Sequence, residues 1–468
     1  MAKIVKVVPL NLISVVSTGT TSYHVAAPNF QFLWLSDLYP NSKVYFEAVI
    51  DAYGIGGYYG YAALYTTGGA YVTGSELKND TTTATRFRSG ELSLTNNTVY
   101  ELWLKSTNGG IPGNVYCASL VIIQEATPIT ATETQFTVGK YLLNDGANAN
   151  YTDIDGRAFY YDAAQFDGTV AIYFEATLYG SSAGGTIYAK LYDTDGNAVA
   201  DSEVSVTGQT ATRVRSGAIT LVDGRTYVVR MKHISGVLWD CQGARIIIQQ
   251  TSNPTRTQTI LPILSYIGAG AATSYTILKG RFYWDDHDWD VLSKSVYFET
   301  ALKISNAAYT AYLDLYDGAA QVDERSAQAT SRTRFRSAAL NLTDNTTYFA
   351  RYKSSSASGT ATFYGGYLVI LVEIVSGVSV KEFADNGAGS DVPKTDKVLS
   401  IVDTGAGAEI LTLVLTKVFG DSGAGVDGLM RIFIKAYTDT GLGAETLIVS
   451  YPYPTNLKRT IIIIRGKV

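Results

Sequence analysis

The residues of this chain that could do chemistry recur as one glutamate and a pair of arginines. Each glutamate follows a Tyr-Phe pair, and each arginine pair lies in a later Thr-Arg-x-Arg-Ser segment. The three sets are Glu47 with Arg86 and Arg88, Glu175 with Arg213 and Arg215, and Glu299 with Arg334 and Arg336. Alternate residues of a strand share a face, so each set could meet on the outer face of a sheet. Such a group could bind an anion or a sugar. We favour a partly exposed structural ion pair that fixes strand register, worth roughly 0–1 kcal/mol.

A second set of carboxylates lies near the C-terminus, in four Asp-x-Gly-x-Gly-x-acid loops. The loops begin at residues 385, 403, 421 and 439, a constant step of 18. The acidic pairs are Asp385 and Asp391, Asp403 and Glu409, Asp421 and Asp427, and Asp439 and Glu445. Ca²⁺ takes about 6–8 oxygen ligands, so one loop would need help from carbonyls or a neighbour. Glycines also permit tight turns. We interpret the loops as turns, keep Ca²⁺ as the alternative, and predict no other cofactor.

Aromatic and acidic clusters offer further candidate sites. Tyr58 and Tyr59 in a glycine-rich stretch, and Trp239 in a late loop, could stack on a sugar. An acidic run around His287 could hold a cation, although a solvated turn is the simpler interpretation. The three histidines occupy non-equivalent places, and no nucleophile elbow, phosphate loop or zinc-binding motif is present. We therefore predict no enzymatic activity. A pair of glycosidase carboxylates remains compatible with the sequence.

The elements that position these residues are β-strands in three long repeats. Alternating residues place Phe46, Phe174 and Phe298 at equivalent core positions. Each repeat ends in a continuous apolar run, at residues 120–123, 246–248 and 368–372, as expected for strands covered on both faces. We predict an all-β protein with three tandem antiparallel jelly-roll-like sandwiches, at residues 1–126, 127–252 and 253–375. Residues 376–468 should form a C-terminal β domain with 18-residue repeats, which we expect to carry assembly contacts.

Composition excludes several classes of function. The net charge is −5, charged residues make up 17%, and no basic stripe is present, so nucleic acid is not an expected partner. No apolar stretch is long enough for a membrane span. The apolar N-terminal run is broken by Pro9 and Asn11 and lacks a cleavage site, so we expect no secretory signal. Cys117 and Cys241 occupy near-equivalent positions in different repeats, which indicates small core residues rather than a disulfide.

Two resemblances suggest a function. The three large repeats resemble jelly-roll modules of the carbohydrate-binding or virion type. The glycine loops resemble the Asp-Ser-Gly-Ser-Gly-Ser-Asp tracts of bacteriophage structural proteins. Together they imply a non-enzymatic virion protein: a head decoration, tail or fibre subunit, assembled in the host cytoplasm as a homo-oligomer or with other virion proteins. The alternative is an extracellular carbohydrate-binding or adhesive surface or filament protein, with a host surface glycan as a partner. A polysaccharide-degrading enzyme ranks last.

Overall fold

The computed structural model describes two compact units, residues 1–376 and 377–468. In the first unit the described residues are 2–10, 16–26, 30–52, 57–109, 112–126, 128–139, 149–154, 156–180, 183–234 and 239–374. In the second unit they are five strands. The predicted all-β class is confirmed: the described residues contain antiparallel sheets and three short 3₁₀ helices, with no α-helix among them.

Sandwich 1 is built from the first ten strands. They are β1 (Ala2–Pro9), β2 (Val16–Thr18), β3 (His24–Val25), β4 (Phe32–Trp34), β5 (Ser42–Ala52), β6 (Gly60–Thr66), β7 (Leu77–Asn79), β8 (Thr85–Arg88), β9 (Thr98–Ser106) and β10 (Gly113–Ala126). One sheet has the order β1-β10-β5-β8, with β2 also on β10, and the other has the order β3-β9-β6-β7, with β4 also on β9. We call the first the signature sheet, because it holds the Glu and Thr-Arg-x-Arg-Ser segments, and the other the second sheet.

Sandwich 2 repeats this order. Its strands are β11 (Ala131–Thr137), β12 (Thr152–Asp153), β13 (Phe159–Tyr160), β14 (Thr169–Gly180), β15 (Thr186–Asp193), β16 (Val204–Thr207), β17 (Thr212–Ile219), β18 (Thr226–Ile234) and β19 (Trp239–Thr251). The signature sheet is β11-β19-β14-β17, and the second sheet is β12-β18-β15-β16 with β13 also on β18.

Sandwich 3 has eight strands in the same arrangement. They are β20 (Arg256–Gly270), β21 (Thr276–Trp284), β22 (Ser293–Ile304), β23 (Ala311–Tyr316), β24 (Gln321–Ala327), β25 (Thr333–Arg336), β26 (Thr346–Ser354) and β27 (Ala361–Glu373). The signature sheet is β20-β27-β22-β25, and the second sheet is β21-β26-β23-β24. A 3₁₀ helix recurs in each sandwich, at Ser36–Leu38, Ala163–Gln165 and Asp286–Asp288.

The same buried contacts hold all three sandwiches. Phe46, Phe174 and Phe298 are each 0% exposed, which confirms their predicted place in the core. The backbone N–H of each phenylalanine donates to the serine that ends the Thr-Arg-x-Arg-Ser segment, at 2.9 Å in every copy. That bond ties the two recurring segments together. It explains why each repeat that has the Tyr-Phe-Glu segment also has the Thr-Arg-x-Arg-Ser segment.

In each sandwich a tyrosine of the second sheet fixes the turn that precedes it. The tyrosines are Tyr100, Tyr227 and Tyr348, and each hydroxyl accepts the backbone N–H of the residue five positions earlier, at 2.7 Å. The turn between them has a positive φ at Asn97 and at Gly224. Asparagine and glycine are the residues that adopt this conformation at low cost.

The three sandwiches also pack against one another. Lys6 on β1 donates its Nζ to the hydroxyls of Thr134 on β11 and Thr257 on β20, both at 2.7 Å, and to the carbonyl of Gln258 at 2.9 Å. The first strands of all three sandwiches therefore meet at Lys6. Burial lowers the pKa of this amine well below its usual value, and the charge of Glu133 opposes that shift.

The second unit is described by its strands alone. They are β28 (Ser379–Glu382), β29 (Lys397–Ser400), β30 (Thr412–Val418), β31 (Leu429–Ala436) and β32 (Leu447–Ser450). An antiparallel pair joins β28 to β29, and a three-stranded antiparallel sheet has the order β30-β31-β32. The eight carboxylates of the glycine loops lie outside the described residues.

Replacing Phe174 with alanine should lower the free energy of unfolding by about 3–5 kcal/mol, because the change leaves a cavity in a closed core. Urea unfolding followed by tryptophan fluorescence measures this change. Val222, which is 54% exposed, provides the matched control: Val222→Ala should alter stability by less than about 0.5 kcal/mol. A Phe174→Ala variant as stable as this control would contradict the core assignment.

Candidate functional site

In sandwich 1 the structure brings the recurring charges together. Glu47 pairs in register with Arg88 on the neighbouring strand. Arg86 donates from Nε to Glu47 Oε2 at 2.9 Å and from Nη2 to Oε1, while Arg88 Nε also donates to Oε1. Arg86 therefore grips both carboxylate oxygens, the bidentate geometry that makes such pairs strong.

The other two copies use a different geometry. In sandwich 2, Arg213 and Arg215 both donate to the same oxygen, Oε2 of Glu175, with the Arg215 Nε bond at 2.9 Å. In sandwich 3, Arg334 and Arg336 likewise share Oε2 of Glu299, with the Arg336 Nε bond at 3.0 Å. The second oxygen, Oε1, is thereby left for a third cation.

That third cation differs in origin between the two copies. Arg245, on the last strand of sandwich 2, places its Nε 3.5 Å from Glu175 Oε1. Glu299 instead receives Arg157 of sandwich 2, whose Nη2 lies 3.4 Å from Oε1. One copy thus completes its cluster from its own sheet, and the other completes it from a neighbouring sandwich.

The cluster of sandwich 1 is partly exposed, with the Glu47 side chain 12% exposed, but in sandwiches 2 and 3 the glutamate is buried, contrary to the expectation. Glu175 is 2% exposed and Glu299 is 4% exposed. The reason is that each signature sheet is covered by a neighbouring sandwich. Removing one partner of these pairs should therefore cost more stability than it would at an exposed pair, because it leaves an uncompensated buried charge.

The charges of the arginines outweigh burial in setting the ionisation of these carboxylates. Burial would raise the pKa of Glu175, but Arg245, Arg213 and Arg215 hold it below its usual value. Burial would likewise raise the pKa of Glu299, but its arginines, Arg334 first, lower it. Burial lowers the pKa of Arg245 to about 10, against the charge of Glu175, so this guanidinium is still charged at neutral pH.

Each cluster forms a contact between sandwiches. Sandwich 2 meets sandwich 1, where the Arg245 guanidinium lies 3.7 Å from the centre of the Phe30 ring and donates to the carbonyl of Gln31. Tyr39 of sandwich 1 also donates to Glu133 of sandwich 2, at 3.1 Å. Cation–π contacts of this kind gain strength when desolvated.

The remaining two contacts complete a ring. Sandwich 3 meets sandwich 2, where Arg157 lies 3.5 Å from the centre of the Tyr367 ring. Sandwich 1 meets sandwich 3, where Arg88 and Lys3 each lie 3.7 Å from Asp288. Each sandwich therefore uses its signature cluster against a different neighbour.

Sequence reasoning missed the third cations and their aromatic partners. Arg245 and Arg157 stand at non-equivalent positions, so comparing the repeats gives no shared motif. A signal for burial did exist: the apolar runs at residues 120–123, 246–248 and 368–372 predict sheets covered on both faces. The glutamates lie in those same sheets.

A second recurring group was also missed, on the second sheets. A lysine in each sandwich lies between two tyrosine rings, with ammonium-to-centroid distances of 4.1–4.7 Å. The lysines are Lys105, Lys232 and Lys353, and each has a glutamate within 4.0 Å. Aligning the three repeats would have revealed this pattern, because the lysines occupy equivalent strand positions.

The candidate sugar-binding residues are not gathered into a defined site among the described residues. Tyr59 lies 5.8 Å from Tyr61, ring centre to ring centre, and Lys78 Nζ lies 5.1 Å from the Tyr59 ring. Tyr58 is half-buried next to them. Trp239 begins β19, and its side chain lies outside the described residues.

The acidic cluster near His287 has a structural explanation. The side chains of Asp285, His287 and Asp344 lie within 4.8 Å of one another. Asp285 accepts the backbone N–H of His287 at 2.9 Å, and Asp344 accepts that of Asp286 at 2.7 Å. Both carboxylates therefore cap the 3₁₀ helix Asp286–Asp288, as N-cap side chains do.

Comparison with known proteins gives loose structural likenesses. No protein-family model and no curated protein sequence matches the chain. A structure of infectious bursal disease virus, Gt strain, has a TM-score of 0.20 at 7% identity, with 79% of each chain covered. Sulfolobus Turreted Icosahedral Virus gives 0.18 at 10% identity, covering 77% of this chain and 92% of that chain. Latent PorU from Porphyromonas gingivalis gives 0.20 at 10% identity, covering 71% and 32%. TM-scores this low carry no argument about function.

Replacing Glu175 with glutamine should destabilise the protein by about 3–5 kcal/mol at neutral pH, because three arginines then lack their buried counter-charge. Urea unfolding provides the measurement, and Glu91→Gln, at an exposed position, provides the control.

The same variant should change the response to acid. The pKa of Glu175 is lower in the folded state than in the unfolded chain, so its contribution is complete above the unfolded pKa, near 4.5. It is lost as pH falls through the folded pKa. The stability difference between wild type and Glu175→Gln should therefore shrink with acidification below about pH 4.5. A constant difference across that range would contradict the cluster's electrostatic role.

Proposed function

We propose that this chain is a non-enzymatic structural subunit of a virion, used as a head decoration, tail or fibre component. The observation that carries the proposal is the ring of three sandwiches, in which every signature cluster serves a contact between sandwiches. The recurrence of the carboxylates and arginines is thus accounted for by their pairing at these contacts, without a substrate. Such chemistry supports a rigid building block that is assembled in the host cytoplasm and carried in the particle.

The ring also supports a structural role on thermodynamic grounds. Three separate subunits would associate only above a threshold concentration, because folding and assembly would be linked by mass action. Joining the sandwiches in one chain removes that dependence. Lys6, which donates to Thr134 of sandwich 2 and to Thr257 of sandwich 3, adds a shared buried anchor. A block of this kind suits repeated placement in a larger particle.

Assembly is assigned to the second unit, with copies of this chain or other virion proteins as partners. Its sheet has the order β30-β31-β32, so among the described strands β30 and β32 each pair on one side. Unpaired strand edges can add a strand from another chain. The first unit has a hydrophobic core in each sandwich, and two of these cores also take in residues of a neighbouring sandwich.

Deleting residues 377–468 should abolish assembly and leave residues 1–376 folded. Light scattering coupled to size-exclusion chromatography measures mass, and circular dichroism confirms the β structure. Full-length protein should form species larger than one chain at concentrations where the truncated protein is a monomer. Full-length protein that remains a monomer at high concentration, or a truncated protein that still assembles, would contradict the proposal.

The alternative is an extracellular carbohydrate-binding or adhesive protein that recognises a host surface glycan. It draws support from the second sheet of sandwich 1, where Tyr65 stacks on Trp103 with ring centres 4.4 Å apart. Tyr71, 43% exposed, lies 5.4 Å from Tyr65 by the same measure. Exposed aromatic rings offer apolar faces with polar tips. Screening the full-length protein on a glycan array distinguishes the two functions.

A further inference from the structure

The three contacts between sandwiches differ at one pair of equivalent positions. The first position is the residue that pairs in register with the signature glutamate on the last strand: Ser119, Arg245 or Tyr367. The second position lies on the neighbouring sandwich. It is the residue two places before Phe32, Phe159 or Phe282, the phenylalanines that pair with Tyr100, Tyr227 and Tyr348. The residues at this position are Phe30, Arg157 and Gly280.

At two contacts these positions hold an arginine against an aromatic ring. Arg245 meets Phe30 where sandwich 2 faces sandwich 1, and Tyr367 meets Arg157 where sandwich 3 faces sandwich 2. The arginine thus comes from opposite sides of the two contacts. The result is the same, because each guanidinium lies beside the Oε1 atom of the signature glutamate.

At the third contact both positions are small, Ser119 and Gly280. A cavity of about 40 Å³ lies there between sandwiches 1 and 3, and its lining includes Glu47, Ser119 and Asp288. A cavity volume of only about 10–15 Å³ is enough to hold one water molecule. Gly280 has no room for a side chain, because a Cβ atom there would lie 2.0 Å from the carbonyl oxygen of Ile263.

Asp288 provides an independent indication of what the cavity accepts. Its side chain is 16% exposed, and its nearest charged partners, Arg88 and Lys3, lie at 3.7 Å, beyond hydrogen-bond range. None of the described residues donates a hydrogen bond to this carboxylate. The equivalent residues of the other 3₁₀ helices are Leu38 and Gln165. A half-buried carboxylate without a donor favours a ligand that supplies one.

We propose that this cavity binds a guanidinium group between Glu47 and Asp288, in the place that Arg245 and Arg157 fill at the other two contacts. A guanidinium offers planar N–H donors that match carboxylates on two sides. At present Arg86 spans both oxygens of Glu47, and Arg88 donates to Oε1. When the ligand binds, both arginines give up Oε1 and share Oε2, which is the arrangement of the other two copies.

The lining combines acidic and basic side chains, so charge alone does not select the ligand. Three carboxylates face the cavity, from Glu47, Asp285 and Asp288, together with the guanidinium groups of Arg86 and Arg88. Arg281 also lines it, and its guanidinium lies 5.3 Å from the centre of the Phe349 ring. Arg86 and Arg88 already pair with Glu47, and Asp285 accepts the backbone N–H of His287. Asp288 accepts no hydrogen bond from the described residues, so the carboxylate that lacks a partner calls for a donor such as a guanidinium. The group could belong to a free small molecule or to an arginine side chain of another polypeptide.

Cys117 makes the proposal measurable, because it lines the same cavity. Methylguanidinium should slow alkylation of Cys117, followed by mass spectrometry, and leave Cys241 unchanged as the internal control, since Cys241 is 0% exposed in another core. Methylammonium carries the positive charge without the planar N–H donors of guanidinium. Acetate carries the opposite charge. A short arginine-containing peptide, compared with its lysine counterpart, tests the polypeptide source.

Three variants complete the test in the full-length protein. Ser119→Arg should protect Cys117 without added ligand. Asp288→Asn, which preserves shape, should weaken methylguanidinium binding by about tenfold, the loss of one charged hydrogen bond. Arg245→Ser should open a second site, so calorimetry should give two equivalents bound instead of one. Failure of methylguanidinium to protect wild-type Cys117, equal protection by methylammonium or acetate, or unchanged affinity in Asp288→Asn would each overturn the proposal.

Discussion

The buried pairing of one glutamate with two arginines is the interaction on which the packing of the three sandwiches depends. A carboxylate as enclosed as Glu175 is stable as an anion only where cations surround it. The two arginines must therefore reach it from the adjacent strand in a fixed register. The serine that ends the arginine segment supplies that register, because Ser216 Oγ accepts the backbone N–H of Phe174, next to the glutamate. A core residue and a contact residue are thus positioned by one short segment.

This arrangement makes the signature sheet two-sided. One face carries Phe174 into the core of the sandwich, and the other carries Glu175 into the contact with the neighbour. A conventional sandwich leaves that second face to water. Here a neighbouring sandwich covers it, so polar groups on this face must be satisfied within the protein. Lys6 meets the same demand with two threonine hydroxyls and a carbonyl.

The sequence was sufficient to predict the strands, the recurring core phenylalanines and the identity of the recurring charges. Period-two alternation and the placement of Phe46, Phe174 and Phe298 depend on local rules that each repeat satisfies separately. The exposure of Glu175 and Glu299 was predicted wrongly, because their burial depends on a neighbouring sandwich; Arg157, which meets Glu299, is remote in the chain. Long-range packing of this kind leaves no periodic signal. The apolar runs did indicate sheets covered on both faces. They predict buried glutamates only once the glutamate strand is known to lie in the same sheet as the apolar strand.

Covalent fusion explains why the three contacts are chemically different. In a symmetric homotrimer, every contact is made by the same two surfaces, so a substitution changes all three at once. In one chain each contact is encoded separately. Arginine can come from one side in Arg245 and from the other in Arg157, because either order places a guanidinium beside the glutamate. The contact between sandwiches 1 and 3 has neither arginine. It is joined by the ion pairs of Arg88 and Lys3 with Asp288 and by a backbone bridge, in which the Lys3 N–H donates to the carbonyl of Asp290 at 2.7 Å. With closure supplied by these contacts, the side-chain space at Ser119 is free to hold something other than the chain itself.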